Sequence, residues 1–132
     1  MTLREVMHAH IPWLTTESTV RDAVDKMDIY QFPALVAVSQ EMKPIAVLTE
    51  GDVCRAVFRR DSLIGMGQEP AYHLGTHDPT CADAETEIGA AFHVMVSSGL
   101  SILPVVSDDR LVGIVLRVDL MQAMLMDASQ VS

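Results

Sequence analysis

The stretch ALVAVSQEMKPIAVLTEGDV, Ala34 to Val53, decides the fold, because its pattern returns in ILPVVSDDRLVGIVLRVDL, Ile102 to Leu120. An offset of 68 carries ALVAVS (Ala34 to Ser39) onto ILPVVS (Ile102 to Ser107). Both are apolar runs rich in β-branched residues, suited to a buried strand. The turn that follows is one residue shorter in the second copy, where DDRL replaces QEMKP and Asp108 and Asp109 are the turn formers. At the resulting offset of 67, AVLTEGDV (Ala46 to Val53) falls on GIVLRVDL (Gly113 to Leu120). The next helix keeps its stripe as well, with Val53, Ala56 and Val57 becoming Leu120, Ala123 and Met124.

The repeat extends upstream. Val20, Ala23, Val24 and Met27 form the i, i+3, i+4, i+7 stripe of an amphipathic helix, and Ile88, Ala91, Phe92 and Met95 repeat it. Ser18 and Thr86 are the expected N-caps. Each copy therefore reads short strand, helix, strand, hairpin, strand, helix. The predicted fold class is α+β, a pseudo-twofold tandem of two β-α-β-β-α repeats. The expected boundaries are a first repeat over 1–64, a linker over 65–71 around GMGQEP, a second repeat over 72–127 and a tail over 128–132. A copy of about 60 residues has a marginal core alone, so each is expected to need the other, leaving a cleft where equivalent strand ends meet.

The 132 residues carry a net charge of −9, which argues against a nucleic-acid backbone as partner, since phosphates need a cationic surface. RAVFRR, Arg55 to Arg60, is read as the solvated face of a helix. No apolar run reaches the length of a membrane span, and MTLREVMHAHIPW lacks the order of a secretory signal. A cytoplasmic protein without membrane insertion is expected. Cys54 and Cys81 lack CxxC spacing and are expected to be reduced, partly buried thiols.

VM at Val6-Met7, LVAV and AVLTEGD resemble one cystathionine β-synthase (CBS) domain, and HLGT with SILPVVSDDRLVGIVLRVDL resembles a second. The resemblance covers almost the whole chain. It implies a regulatory or sensor module that binds an adenosine-containing ligand (AMP, ADP, ATP or S-adenosylmethionine) between the repeats. In the family motif, an apolar strand ends in Thr or Ser and Asp follows three positions later. The Asp accepts hydrogen bonds from the ribose hydroxyls. That motif falls complete on Thr49 and Asp52, whereas the second copy keeps Asp119 but has Leu116 in the hydroxyl position. A carboxylate suits a vicinal diol because it only accepts. Leucine offers nothing polar, so Asp52 marks the first site and Asp119 a degraded second. Thr76 of LGT, where the first copy has His8, is the family position expected to complete the Asp52 site.

Relatives that bind polyphosphates often carry His or Arg just before the LPV strand; here those positions are Ser101 and Ile102, with Pro33 and Ala34 in the first copy. AMP or S-adenosylmethionine is therefore favoured over ATP. Arg117, Arg55 and Arg21 are alternative cations that the sequence does not place.

The competing reading of Thr49 and Asp52 is a capping box at the start of the following helix. The histidine pairs His8/His10 and His73/His77 lack an accompanying acid or thiolate at zinc spacing, so no metal site is expected. His93 is expected to be partly buried or at an interface. No nucleophile–base motif or phosphate-cradling loop is present, so no catalytic residue, catalytic cofactor or enzyme activity is expected. Met121, Leu125 and Met126 widen the apolar arc of the last helix beyond one core face, which points to a homodimer through helices or else to a wider internal core. A structural dimerisation module with vestigial nucleotide sites is the alternative function. The sequence does not identify the regulated protein.

Overall fold

The computed structural model describes residues 1–60 and 62–131. In chain order it contains α1 (Leu3–Val6), α2 (Val20–Tyr30), β1 (Ala34–Val38), β2 (Pro44–Thr49), α3 (Glu50–Arg60) and α4 (Leu63–Met66). A 3-10 turn (Ala71–Leu74) leads to β3 (Thr76–His77), β4 (Ala82–Asp83), α5 (Ile88–Ser98), β5 (Ile102–Ser107), β6 (Arg110–Leu116) and α6 (Arg117–Val131). The tail expected at 128–132 continues α6 as far as Val131, and residue 132 lies outside the described residues.

Two compact units form, one from Met1–Ile11 with Thr80–Ser132 and the other from Pro12–Pro79. The opening segment of each repeat divides between them. In the second unit β3 pairs antiparallel with β2, Thr76 opposite Val47, while Leu14 bridges in parallel to Ala37 of β1. In the first unit His8 bridges antiparallel to Ile114, while β4 pairs in parallel with β5, Ala82 opposite Val105. These are the same two pairings at the repeat offset. Each hairpin thus receives one short segment from each repeat's opening.

Two cores result. Leu14, Val20, Ala23, Leu35, Ala37, Ala46, Leu48, Val53 and Ala71 pack together in the Pro12–Pro79 unit. Leu3, Ile88, Ala91, Met95, Leu103, Val105, Val115, Leu120 and Ala123 do so in the other. The helical stripes and the apolar strand runs read from the sequence supply most of both sets. Asp108 and Asp109 both adopt left-handed backbone, with φ of 51° and 64°, as the tight two-residue turn of a hairpin requires.

Four local expectations change. The N-cap of α2 is Thr19 rather than Ser18: Thr19 Oγ1 accepts from Asp22 N, and an Asp22 carboxylate oxygen accepts from Thr19 N. Ser18 instead takes the Thr15 N–H on its hydroxyl. At α5 the cap position falls to Glu87, which makes no capping bond, so Thr86 does not cap; the Glu87 carboxylate holds the N-terminal ammonium and raises its pKa through that hydrogen bond. Cys54 is exposed rather than partly buried, because it lies off the Val53–Ala56 stripe, whereas burial pushes the Cys81 thiol up. His93 is exposed on α5, which removes the partly buried setting and leaves the interface one.

Residues 65–71 are built into the unit. Met66 and Ala71 are buried, and the Val20 and Arg21 N–H groups at the start of α2 donate to Glu69 O and Gly67 O. A side-chain pair between Arg60 and Glu69 ties the segment to the end of α3.

Candidate functional site

β2 ends at Thr49, and α3 begins at the next residue. Ala46 and Leu48 of β2 are buried in the core. The period-two alternation of a strand therefore sends Val47 and Thr49 to the opposite face, where both are only half-buried. Directly opposed residues of an antiparallel pair share a face, so Thr76, paired with Val47, joins Thr49 there. Thr76 is exposed. The close approach that makes this pairing possible depends on Gly75, where a Cβ would lie 2.7 Å from Val47 O.

Thr49 and Asp52 form a complete capping box. Asp52 Oδ2 accepts from Thr49 N at 2.9 Å, and Thr49 Oγ1 accepts from Asp52 N at 3.1 Å. This fixes the carboxylate, whose side chain is 13% exposed, at the mouth of the strand–helix junction. Arg55 Nη2 donates to the other oxygen, Oδ1, at 2.6 Å. A carboxylate accepts about four hydrogen bonds; these two leave one lone-pair position on each oxygen, the pattern a vicinal diol needs. Capping and diol binding thus use different parts of one group.

The second copy is built differently. Asp119 Oδ2 accepts from Leu116 N at 2.8 Å, which is half of the same box, since Leu116 has no hydroxyl to return the bond. His8 Nε2 lies 2.9 Å from the same Oδ2. The N-terminal segment brings it there: the His8 N–H donates to Ile114 O at 2.9 Å, and the Ile114 N–H donates to His8 O at 3.0 Å. Gly113 permits this, because a Cβ there would fall 2.6 Å from His8 O. Oδ2 of Asp119 is therefore engaged twice, by the Leu116 N–H and by an imidazole at the position equivalent to Thr76.

Of the sequence-selected residues, Thr49, Asp52 and Thr76 thus share one unit and Asp119 belongs to the other. Sequence reasoning missed two partners, His8 on Asp119 and Arg55 on Asp52. Both signals were present: His8 stands 68 residues before Thr76, and Arg55 follows Asp52 by one helical turn. Of the other two candidate cations, Arg21 pairs with Asp25 on α2 at 3.6 Å, and Arg117 is exposed.

A separate cleft of about 750 Å³ lies between α2 and α3, lined by Val24, Met27, Phe32, Val53, Val57 and Phe58 among others. None of Thr49, Asp52 and Thr76 lines it. Its walls are mainly apolar, with Asp28, Gln31 and Glu50 as the polar side chains among them. Among the described residues no three His, Cys, Asp or Glu side chains converge as a metal site, and no helix is long and apolar enough to cross a membrane.

Comparison with known proteins agrees with the repeat. The chain is 28% identical over 108 residues to an uncharacterized 17.7 kDa protein in the bps2 3′ region of Acidianus ambivalens, spanning 81% of this chain and 63% of that one. It is 26% identical over 119 residues to inosine-5′-monophosphate dehydrogenase of Methanocaldococcus jannaschii, covering 89% of this chain but 22% of the enzyme. The crystal structure of CBSX2 in complex with AMP superposes with a TM-score of 0.82 at 20% identity, covering 96% of this chain and 98% of that one. The CBS domain model matches twice, over residues 3–59 and 71–126. Two matches along one chain are what a tandem pair gives, and the chain belongs to the CBS domain family.

Proposed function

We propose that this chain is a regulatory module that binds an adenosine-containing ligand at the Thr49–Asp52 end of β2, with AMP or S-adenosylmethionine favoured over ATP. One observation carries the reading. The Asp52 carboxylate is locked by backbone and guanidinium donors, yet keeps an acceptor position on each oxygen. Thr49 and Thr76 stand on the same sheet face. Two hydroxyls and an oriented carboxylate suit the edge of a ribose, and the similar fold of CBSX2, solved with AMP, supports the class of ligand. Asp119 forms a weaker second site, because His8 already engages it. Binding then alters the module or a regulated partner within the cytoplasm; the reading assigns no catalytic step.

Calorimetry of nucleotide-free protein with AMP, ATP and S-adenosylmethionine tests the reading. Heat and thermal stabilisation are expected with AMP, dominated by one tight site per chain. No response to any adenosyl ligand refutes it.

A second reading, a dimerisation module with vestigial sites, has its own support. Ile29, Tyr30, Phe58 and Ile64 of the Pro12–Pro79 unit are exposed, as are Met121, Leu125 and Met126 of α6. A contiguous patch of such side chains is what an interaction surface requires. Both readings include a homodimer through helices. Replacing Met121 and Leu125 with glutamate is expected to turn a dimer into a folded monomer by light scattering; a wild-type monomer at high micromolar concentration refutes the dimer.

A further inference from the structure

We infer that Arg55 is the specificity-determining cation of the Asp52 site, selecting a ligand with a phosphate next to its ribose over an uncharged nucleoside or a sulfonium. The inference rests on the adenosyl-ligand reading above and names the chemical class within it. Arg55 Nη2 is fixed on Asp52 Oδ1 at 2.6 Å. Its Nη1 lies 3.3 Å from where a Cβ of Gly51 would stand, and Thr49 Oγ1 lies 3.6 Å from the same point. The guanidinium and the threonine hydroxyl therefore flank the bare backbone of Gly51. A side chain at 51 would press on the guanidinium from that side.

Asp52 employs one of the five N–H donors of the guanidinium, and the side chain is 67% exposed, so other donors remain for an incoming group. A planar fork of that kind matches phosphate oxygens, and a phosphate gains charge-assisted bonds that a neutral hydroxymethyl group cannot. The repeat supplies an internal contrast. At the positions equivalent to Gly51 and Arg55 the second copy has Val118 and Gln122, so a β-branched side chain and a neutral amide replace the glycine and the cation. The Asp119 site thus lacks this device.

Charge sets the direction of selectivity. Glu50 and Asp52 make the strand–helix junction anionic, and Arg55 offsets one of those charges. Without Arg55 the junction repels a phosphate and favours the sulfonium of S-adenosylmethionine.

The test is calorimetric titration of the full chain with adenosine, AMP and S-adenosylmethionine, for wild type, Arg55→Gln and Arg55→Lys. Wild type is expected to prefer AMP over adenosine by at least about tenfold. That preference should shrink as ionic strength rises, a check that needs no variant. Arg55→Gln is expected to bring the two ligands within about threefold and shift preference towards S-adenosylmethionine, while Arg55→Lys recovers part of the AMP preference. Equal wild-type affinities for adenosine and AMP, or an unchanged AMP preference in Arg55→Gln, overturn the role of Arg55 and leave the adenosyl site standing. If none of the three ligands binds wild type, the site itself falls and this inference with it.

Discussion

Asp52→Asn separates the two roles that Asp52 carries. The amide oxygen of the replacement side chain can still accept the Thr49 N–H now taken at 2.9 Å, and the backbone N–H at position 52 can still donate to Thr49 Oγ1 at 3.1 Å. The capping box therefore survives, and what is lost for folding is the contact with Arg55. That pair joins a mostly exposed guanidinium to the first turn of a helix and is worth about 0.5 kcal/mol. Stability is expected to fall by less than about 1 kcal/mol, a few degrees in Tm at most. Ligand binding should respond differently. The amide has a single acceptor oxygen, which the cap leaves with one lone-pair position, and it offers an NH2 where the second diol hydroxyl needs an acceptor. Losing charge-assisted bonds to the diol costs about 1.5–3 kcal/mol, a tenfold or greater rise in Kd for AMP. Paired calorimetry and circular-dichroism melts read both quantities. Asp52→Ala should show the same loss of affinity together with about 1 kcal/mol of lost capping. Asp119→Ala should change AMP affinity far less. Tight AMP binding by the Asp52→Asn variant, within about threefold of wild type, or an Asp119→Ala effect as large as that of Asp52→Ala, refutes the assignment of the ribose to Asp52.

In competition at fixed ionic strength ATP is expected to bind no more tightly than AMP, since Arg55 serves the phosphate next to the ribose; a tenfold ATP preference overturns this. Gly75→Ala forces a Cβ to within 2.7 Å of Val47 O, and overpacking of this kind costs about 1–3 kcal/mol. It should lower Tm and loosen Thr76, raising the Kd for AMP; unchanged melting and binding would show that β3 yields freely. The hydrogen bonds from the Thr19 backbone and hydroxyl hold Asp22 below its ordinary pKa of 3.8. A depressed folded-state value stabilises the fold above the unfolded pKa and ceases to do so as pH falls through the folded one. The Tm advantage of wild type over Asp22→Ala should therefore be full near neutral pH and vanish in strong acid, and an advantage that persists unchanged at low pH contradicts it.

The sequence by itself determined the architecture, because the physics that selects strands and helices is local and periodic. The stripe Val20, Ala23, Val24, Met27 and its copy made α2 and α5, the β-branched runs made β1 and β5, and Asp108-Asp109 closed the second hairpin with two left-handed residues. Thr49 and Asp52 were legible for the same reason: a hydroxyl and a carboxylate three residues apart at a strand–helix junction meet through local backbone geometry. Tertiary structure decided what lies on those carboxylates. His8 reaches Asp119 across 111 positions of chain, and Gly113 leaves room for the backbone that carries it. Offset arithmetic set His8 equivalent to Thr76, but only the pairing of His8 with Ile114 converts equivalence into contact. Arg55 is close to Asp52 in sequence, yet a long flexible side chain has many rotamers, and its rotamer over Gly51 is fixed by three-dimensional surroundings rather than by spacing. Two carboxylates at equivalent positions thus acquire different neighbours because the groups that reach them belong to other turns and other strands, where a repeat read along the chain has no view.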